Sequence, residues 1–408
     1  MQHSESWLQG GWLERTLRSQ LLGKLSNLRG GELVLQEAGR GYPFGAAASD
    51  GLKASVRVND PAFYRQLALG GSIGAAEAYI HGDWYSDDLT AVVRLMARNA
   101  VTTGRLEAMA NWLTQPLWRV LHWFRRNNAT NSRRNIAAHY DLGNDFFAAF
   151  LDESLAYSSG IYETPESTLA QAQLAKCDRI CQKLNLQPSD HLLEIGCGWG
   201  GLAIHAARKF GCRVTGTTIS QRQFELACQR VAEAGLEKQV RIVLEDYRQL
   251  QGKYDKLVSV EMLEAVGPQY FDTYFGTCAS LLVPGGQMVL QAITIADRLY
   301  PDYRRNVDFI QKYIFPGGHL PCLSAITSSL ARVTDFTVAH LENLPEHYAR
   351  TLADWRANFL AHQDELRAMG LSDEFLRMWE FYFCYCEGGF REEHIGLLQM
   401  VLTKPPAR

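Results

Sequence analysis

A glycine-rich turn at residues 196–201 has the residue types and spacing of a cofactor site. The glycines follow the apolar run 191–195 and precede the stretch 202–209, which predict a buried parallel strand and a helix. Glycine lets the backbone approach a ligand closely, because it has no Cβ. The helix N-terminus adds free N–H groups directed at that ligand. The turn therefore predicts that a cofactor binds where this strand ends.

The next strand distinguishes two classes of cofactor. Gly196, Gly198 and Gly201 also match the G-x-G-x-x-G pattern of nicotinamide enzymes, which place an acid about 20 residues past the first glycine to bind the ribose hydroxyls. Here the strand predicted at 212–216 is followed by residues 217–223, which contain no acid. The missing acid argues against a nicotinamide cofactor.

The elements that follow complete a different pattern. Asp246 and Tyr247 come next, then a strand predicted at 256–260 that ends in Glu261 and Glu264. A proline and two glycines at 284–286 precede a further strand. This order resembles the S-adenosylmethionine (SAM) methyltransferases. The resemblance implies that Glu194 lies near the amino acid end of SAM, and that Asp246 and Tyr247 lie near its adenine.

Length and composition predict a two-domain globular enzyme. The 408 residues exceed one typical core, and 47% hydrophobic with 21% charged residues is a globular balance. A formal net charge of -3 gives no overall attraction to nucleic acid. The nine cysteines show no zinc-ligand spacing, so no metal is expected, and reduced thiols suit a cytoplasmic protein. We find neither a signal peptide nor an apolar run of about 18 residues that would span a bilayer.

The first part of the chain predicts a separate small domain. Residues 32–36 and 52–58 alternate as short strands do, and a helix is predicted at 61–69. Residues 70–84 predict a glycine turn that leads into a packed helix. We place the domains at 1–130 and 139–408, joined by a linker at 131–138.

A segment rich in arginine and tryptophan lies just before this linker. Between residues 101 and 140, six arginines stand against one acid, with Trp112, Trp118 and Trp123 among them. This composition suits the surface of an anionic bilayer, where tryptophan lies at headgroup level. A helix that packs its tryptophans on the second domain explains it equally well. Nucleic acid is disfavoured, because no recognition motif accompanies the segment.

Several motifs together resemble the cyclopropane fatty acid synthases, over nearly the whole sequence. They are the glycine turn and residues 71–79, 139–147, 151–162, 313–318, 348–352 and 386–390. Enzymes of this family transfer the methyl group of SAM to the cis double bond of a phospholipid acyl chain. The resemblance implies an α/β fold, in which a smaller α+β lipid-binding-type domain precedes a Rossmann-like, seven-stranded SAM methyltransferase domain. It also implies a cytoplasmic homodimer that associates peripherally with the inner face of the membrane.

The resemblance also implies two sets of site residues. Those expected around SAM are Tyr157, Ser158, Glu194, Gly196, Cys197, Gly198, Gly200, Gly201, Thr218, Ile219, Gln223, Asp246 and Tyr247. Those expected around a bicarbonate ion that acts as the base are Ser159, Glu264, Gln291, Ile293 and Tyr348. Cys386 matches a cysteine of the C-terminal motif, either as a buried structural thiol or in a chemical role.

The chain departs from the better-known family pattern at four positions. Ser159 stands where that pattern has Cys, Gln291 and Ala265 each stand where it has His, and Glu261 stands where it has Gly. The substitutions keep hydrogen-bonding capacity: the Gln291 amide and main-chain N–H groups still donate to an anion, and Glu264 accepts the hydroxyl of bicarbonate.

Glu261 has two interpretations. A glutamate just past the end of a strand is usually solvated or caps a helix. If it faces the site, its carboxylate would repel bicarbonate and serve as the base itself.

Four functions follow from these residues. Cyclopropanation of phospholipid acyl chains is the first. Methyl or methylene branching of the same chains is the second, suggested by the changed base site. The third is N-methylation of a small amine, which the lipid-type first domain argues against. The last is non-catalytic lipid binding, which the intact glycine turn and Glu264 argue against.

Overall fold

The computed structural model describes residues 11–99 and 142–407. The chain forms two compact units, each built from several segments. The first unit contains residues 1–124, 304–314 and 359–394, and the second contains residues 125–303, 315–358 and 395–408. The contiguous domain boundaries expected from the sequence stay a prediction, and the linker and the whole arginine- and tryptophan-rich segment at 101–140 lie outside the described residues.

The described residues form thirteen α-helices and eleven strands. The helices are α1 (Trp12–Leu25), α2 (Ala62–His81), α3 (Leu89–Arg98), α4 (Asn144–Ala148), α5 (Leu169–Lys183), α6 (Gly201–Phe210), α7 (Gln221–Glu233), α8 (Phe271–Leu281), α9 (Tyr300–Tyr303), α10 (Leu323–Val333), α11 (Pro345–Ala361), α12 (Gln363–Ala368) and α13 (Asp373–Arg391). The strands are β1 (Gly31–Glu37), β2 (Arg40–Ala46), β3 (Lys53–Val58), β4 (Trp84–Tyr85), β5 (His191–Ile195), β6 (Arg213–Thr218), β7 (Val240–Leu244), β8 (Tyr254–Val260), β9 (Leu282–Ile295), β10 (Thr337–Asn343) and β11 (Ile395–Thr403).

The first unit is a small α+β structure. Its sheet has the order β2-β1-β3-β4, with β1 antiparallel to β2 and parallel to β3. Alternation in the sequence determines which face is covered: Leu33 and Leu35 of β1 and Val56 of β3 are buried, and their neighbours are more exposed. Helix α13 packs against α2 and α3. The helix predicted at 61–69 continues to His81 and bends at Gly71, whose φ is +57°.

The second unit contains the predicted seven-stranded sheet. The strand order is β10-β11-β9-β8-β5-β6-β7, and β11 runs antiparallel to both β9 and β10. Strand β5 lies between two parallel neighbours, β6 and β8, so its apolar side chains are buried on both faces. Two hydrophobic clusters contain residues of this sheet.

The order of connections reverses beside β5, because the chain passes from β5 to β6 on one side and later to β8 on the other. In such a sheet, ligands bind at the carboxyl ends of the strands next to this reversal. The segments after β5, β6, β7 and β8 therefore form the expected site. Within residues 11–99 and 142–407, no helix combines the length and apolar character needed to cross a membrane.

Candidate active site

The glycines of the turn at the end of β5 have two roles: one leaves open volume, and another allows close packing. Gly196, Gly198 and Gly200 have φ values of +86°, +52° and +81°, which favour glycine. A Cβ on Gly198 would meet no atom within 4 Å, whereas a Cβ on Gly201 would lie 2.9 Å from the Ser154 carbonyl oxygen. Gly201 thus permits packing at the start of α6, and Gly198 leaves open space where a cofactor is expected.

Glu194 presents a buried acceptor beside this turn. Its residue is 4% exposed, and its Oε2 atom has no hydrogen-bond partner among the described residues. Burial raises the pKa of its carboxyl to about 8, and the nearby Lys176 opposes the shift. The ammonium group at the amino acid end of SAM would supply the missing donor and positive charge. The residues present therefore fit SAM.

Other candidate cofactor residues follow β6 and β7. The Thr218 hydroxyl donates to Gln223 Oε1 at 2.8 Å, where β6 ends. Asp246 accepts hydrogen bonds from the backbone N–H and guanidinium of Arg248, at 2.6 to 3.0 Å. The ring of Tyr247 lies edge-on to another tyrosine ring. Cys197 is buried and Ile219 is partly buried.

Tyr157 and Ser158 precede the base site in the chain. The Tyr157 ring lies 5.2 Å from Trp355 and 6.2 Å from Phe315, measured between centroids. The Ser158 hydroxyl accepts a 2.7 Å hydrogen bond from the buried ammonium of Lys176. The rings form an apolar cluster in which Trp355 is fully buried and the other two are partly buried, and the lysine adds a positive charge nearby.

The carboxylate of Glu261, just past the end of β8, is held by three donors. The Ser159 backbone N–H and the Gln291 side-chain amide donate to its Oε1 atom, at 2.9 and 2.8 Å. The Tyr348 hydroxyl donates to Oε2 at 2.8 Å. Burial raises the pKa of Glu261, and these three hydrogen bonds oppose that shift. The three donors favour the charged form, which makes this carboxylate a suitable place for a negative charge.

Glu264 lies in a poorer environment for charge. The backbone N–H of Ile293 donates to its Oε1 atom, and its Oε2 atom is buried without a partner among the described residues. Burial, followed by the charge of Glu261, raises the pKa of Glu264 to about 8. Glu264 is therefore protonated at neutral pH, and Glu261, with its three donors, is the better placed of the two to hold a negative charge.

These contacts do not fit a separate bicarbonate ion. The expected donors from Ser159, Gln291 and Tyr348 all donate to Glu261, and the Ile293 N–H donates to Glu264. The Ser159 hydroxyl donates instead to the neighbouring Gly160 carbonyl at 3.0 Å. The structure thus brings the five residues expected around bicarbonate together, but around two carboxylates.

Cys386 belongs to α13 in the first unit, whereas the other five candidate catalytic residues belong to the second. Burial raises the pKa of its thiol far above the usual range, so the thiol remains protonated. Its role stays a prediction.

Two residues linked to the base site by hydrogen bonds, Gln399 and Lys183, were not predicted from the sequence. Gln399 lies opposite Gln291 in the β9–β11 register, both glutamines are fully buried, and the Gln399 amide donates to Gln291 Oε1 at 3.0 Å. Lys183 donates to Gln399 Oε1. One signal was available: a single glutamine interrupts each of the apolar runs 288–293 and 397–402. No comparable signal marks Lys183, which lies on an amphipathic helix.

Comparisons with known proteins decide the family. The family model described as mycolic acid cyclopropane synthetase matches residues 127–400, more than half of the chain. The chain belongs to this family. Its sequence is 40% identical over 380 residues to tuberculostearic acid methyltransferase of Mycobacterium tuberculosis, covering 88% of this chain and 86% of that protein. It is 36% identical over 363 residues to cyclopropane-fatty-acyl-phospholipid synthase of Escherichia coli, covering 88% and 90%.

A solved structure of the family has the same catalytic fold. Mycolic acid cyclopropane synthase CmaA1, complexed with SAH and CTAB, superposes with a TM-score of 0.63 at 33% identity. The match covers 67% of this chain and 98% of that one. The α/β fold of the SAM methyltransferases predicted from the sequence is thereby confirmed.

Proposed function

We propose that the protein adds a methylene group from SAM across the cis double bond of a phospholipid acyl chain and so forms a cyclopropane ring. As a member of the family, the protein is a SAM-dependent methyltransferase that acts on unsaturated acyl chains. The observation that carries the ring-forming proposal is the pair of partly buried carboxylates, Glu261 and Glu264. This pair lies after β8, the strand next to β5, which leads into the cofactor turn.

We assign SAM binding to the segments that follow the carboxyl ends of β5 and β6. The open space at Gly198 and the N-terminus of α6 receive it, and Glu194 accepts from its ammonium group. When bound, SAM supplies an electrophilic methyl group. An alkene is a weak nucleophile, so the reacting carbon must be held against this methyl group without water. The ring cluster around Tyr157 and Trp355 supports that exclusion.

Water exclusion also determines the product. Methylation leaves a positive charge on the second alkene carbon, and water there would give an alcohol. The partly exposed rings of Tyr157 and Phe315 offer π-faces that would stabilise a nearby cation. A base then removes a proton from the new methyl group, and the ring closes. A partly buried carboxylate supplies such a base.

Branching of the same acyl chain is the second candidate function, favoured by the 40% identity to tuberculostearic acid methyltransferase. After methylation, a hydride shift moves the positive charge to the methylated carbon. Loss of a methyl proton then leaves a methylene branch, and a hydride donor is needed to reach a methyl branch. Both outcomes use the same cofactor and base, so the site supports either product.

The substrate is proposed to be a bilayer phospholipid at the inner face of the membrane, reached from the cytoplasm. The six arginines and three tryptophans at 101–140 support this proposal, because each cation near an anionic surface gains about 1 kcal/mol. The homodimer expected from the resemblance stays a prediction.

One experiment tests both the reaction and the substrate. Purified protein is incubated with SAM and either anionic vesicles of a cis-unsaturated phospholipid or the free unsaturated fatty acid. We expect mass spectrometry to show a gain of CH2 in the vesicle lipid, and proton NMR to show ring protons. A methylene or methyl branch would favour the second function, and conversion of only the free acid would refute the bilayer substrate. No lipid product would leave amine methylation or lipid binding without catalysis.

A further inference from the structure

Resting on the proposed function, we propose that Glu261 is the base of the ring-closing step, and that its Oε2 atom takes the proton from the newly added methyl group. The reaction then requires no bicarbonate. The base is part of the chain, and the residues around it serve to hold a side-chain carboxylate instead of a free anion.

The three donors around Glu261 are already occupied by its own carboxylate. Two donors hold Oε1 of Glu261, from Ser159 and Gln291, whereas Tyr348 alone among the described residues donates to Oε2. A carboxylate oxygen has two lone-pair sites, so Oε2 retains one to accept a proton. The same carboxylate fills the place that a free anion needs. A second anion would meet repulsion and no free donor from these three residues.

The backbone of Glu261 has an unusual conformation. Glu261 has a φ of +52°, in the left-handed region that a side chain other than glycine rarely adopts. Its backbone N–H donates to the carbonyl of Gln291, within β9, at 2.7 Å, which fixes this conformation beside that strand. Strained residues of this kind cluster at functional sites, where the surrounding structure holds them. Here the strain directs a carboxylate into three hydrogen bonds.

A hydrogen-bond relay from Lys183 through Gln399 orients the Gln291 amide. An ammonium donates and never accepts, so Lys183 must face Gln399 Oε1. The Gln399 amide nitrogen then donates to Gln291 Oε1 at 3.0 Å, which leaves the Gln291 nitrogen to donate to Glu261 at 2.8 Å. With the opposite orientation, Gln291 would present its oxygen to a carboxylate. Lys183 and Gln399 are therefore positioning residues that favour an anion at Glu261.

The neighbouring Glu264 is consistent with this assignment. Its carboxyl has one donor and a buried oxygen without a described partner, so a negative charge is held better by Glu261, with three donors, than by Glu264. One negative charge, held at Glu261, balances the positive charge that methylation creates on the acyl chain. A bound bicarbonate would add a second negative charge.

The step balances as a proton transfer. The methyl group leaves the sulfonium as a carbon–carbon bond forms to the first alkene carbon, and the second alkene carbon becomes cationic. Oε2 of Glu261 forms an O–H bond with one methyl proton. The electron pair of that C–H bond forms the third ring bond to the cationic carbon. The products are the cyclopropane lipid, S-adenosylhomocysteine and one proton, which Glu261 later releases to solvent.

Two substitutions test the base. Glu261→Gln keeps the shape and occupies the same space but cannot accept the proton, and a general base contributes about 100-fold or more. Glu261→Gly relieves the backbone and vacates the three donors. We expect both variants to lose about 100-fold in turnover. We expect added formate or bicarbonate to restore part of the activity of Glu261→Gly, but none of that of Glu261→Gln, whose amide still blocks the space.

The wild-type enzyme is assayed in parallel, in buffer purged of carbon dioxide and with added bicarbonate. We expect equal rates. A wild-type rate that falls on purging and returns with bicarbonate would overturn the proposal, as would a Glu261→Gln rate above about one tenth of wild type. SAM affinity by calorimetry and the melting temperature establish that each variant is folded. A wild-type enzyme that makes no lipid product under either condition refutes the proposed function instead.

Discussion

The glycine turn follows β5, and the two glutamates of the base site follow β8, the parallel strand beside it. These two regions are built differently. The turn is made of consecutive residues and acts through its backbone, with Gly198 leaving open space. The base site takes its donors from Ser159, Gln291 and Tyr348, which are far apart in the chain. A local backbone site tolerates little change at its glycines. A site assembled from side chains spreads the support of its carboxylate over several residues, so single substitutions among those supporting residues should have graded effects.

The largest effect in this comparison, equal to that expected for the loss of Glu261, is expected in the turn. Gly198→Val places a branched side chain in the open space, and a clash of about 3 kcal/mol weakens SAM binding about 100-fold. Gly235→Val is the matched control, because Gly235 also has a positive φ, +67°, and no atom within 4 Å of a Cβ. Gly235 follows α7, and we expect it to lose stability alone. Calorimetry showing equal SAM affinity in the two variants would contradict the assignment of the turn.

A smaller effect is expected when the hydrogen-bond relay from Lys183 to Gln291 is cut. Lys183→Met allows the two amides to flip, so Glu261 loses a charge-assisted hydrogen bond worth about 1.5 kcal/mol. We expect about a tenfold lower rate at neutral pH, with the acid limb of the pH–rate profile about one unit higher. Lys183→Arg should restore both, because arginine also only donates.

The control for this prediction is Lys256→Met. Lys256 makes the same type of bond, to Gln287 Oε1 at 2.7 Å, without a described connection to Glu261. If both methionine variants lower the rate with an unchanged pH profile, Lys183 has only a structural role.

Much of the turn, and less of the base site, was predictable from the sequence. Strands β5 and β8 and the glycines between β5 and α6 are local patterns, so periodicity and turn chemistry suffice to predict them. The residues Ser159, Gln291 and Tyr348 were also identified, through the resemblance. Their common acceptor was not, because it depends on tertiary placement. The pairing of Gln291 with Gln399 likewise depends on the register of two antiparallel strands that are distant in sequence.

The Glu264→Gln substitution should affect turnover only a few-fold. Glutamine resembles the protonated acid, which is the form that Glu264 has at neutral pH below its pKa of about 8. The effect on stability has a definite sign. The unfolded chain releases the proton near the usual value of 4.5, whereas the folded protein retains it to about 8. The stability that Glu264 contributes is thus fully present below pH 4.5 and lost as the pH rises to about 8.

Urea unfolding across this range measures the effect. Relative to Glu264→Gln, we expect the wild type to lose a few kcal/mol of unfolding free energy between the two ends, at about 1.4 kcal/mol per pKa unit. Glu194 and Glu261 are present in both proteins, so their titrations cancel in the comparison to first order. A difference that does not depend on pH would mean that Glu264 is ionised throughout. Loss of turnover about equal to that of Glu261→Gln would mean that Glu264 shares the role of base.

The smallest effect is expected for Gln291→His, and it separates hydrogen bonding from titration. Gln291 accepts from Gln399 and donates to Glu261, and a neutral imidazole has one acceptor and one donor nitrogen for the same two partners. We therefore expect a rate within about threefold of wild type at neutral pH, since the number of hydrogen bonds is unchanged. Below its pKa, the introduced imidazole donates from both nitrogens and faces the Gln399 amide with a donor, so the acid limb should steepen. A rate about tenfold lower at neutral pH, with SAM affinity unchanged, would show that the site needs the planar amide and its relay to Lys183, and not only a donor at this position.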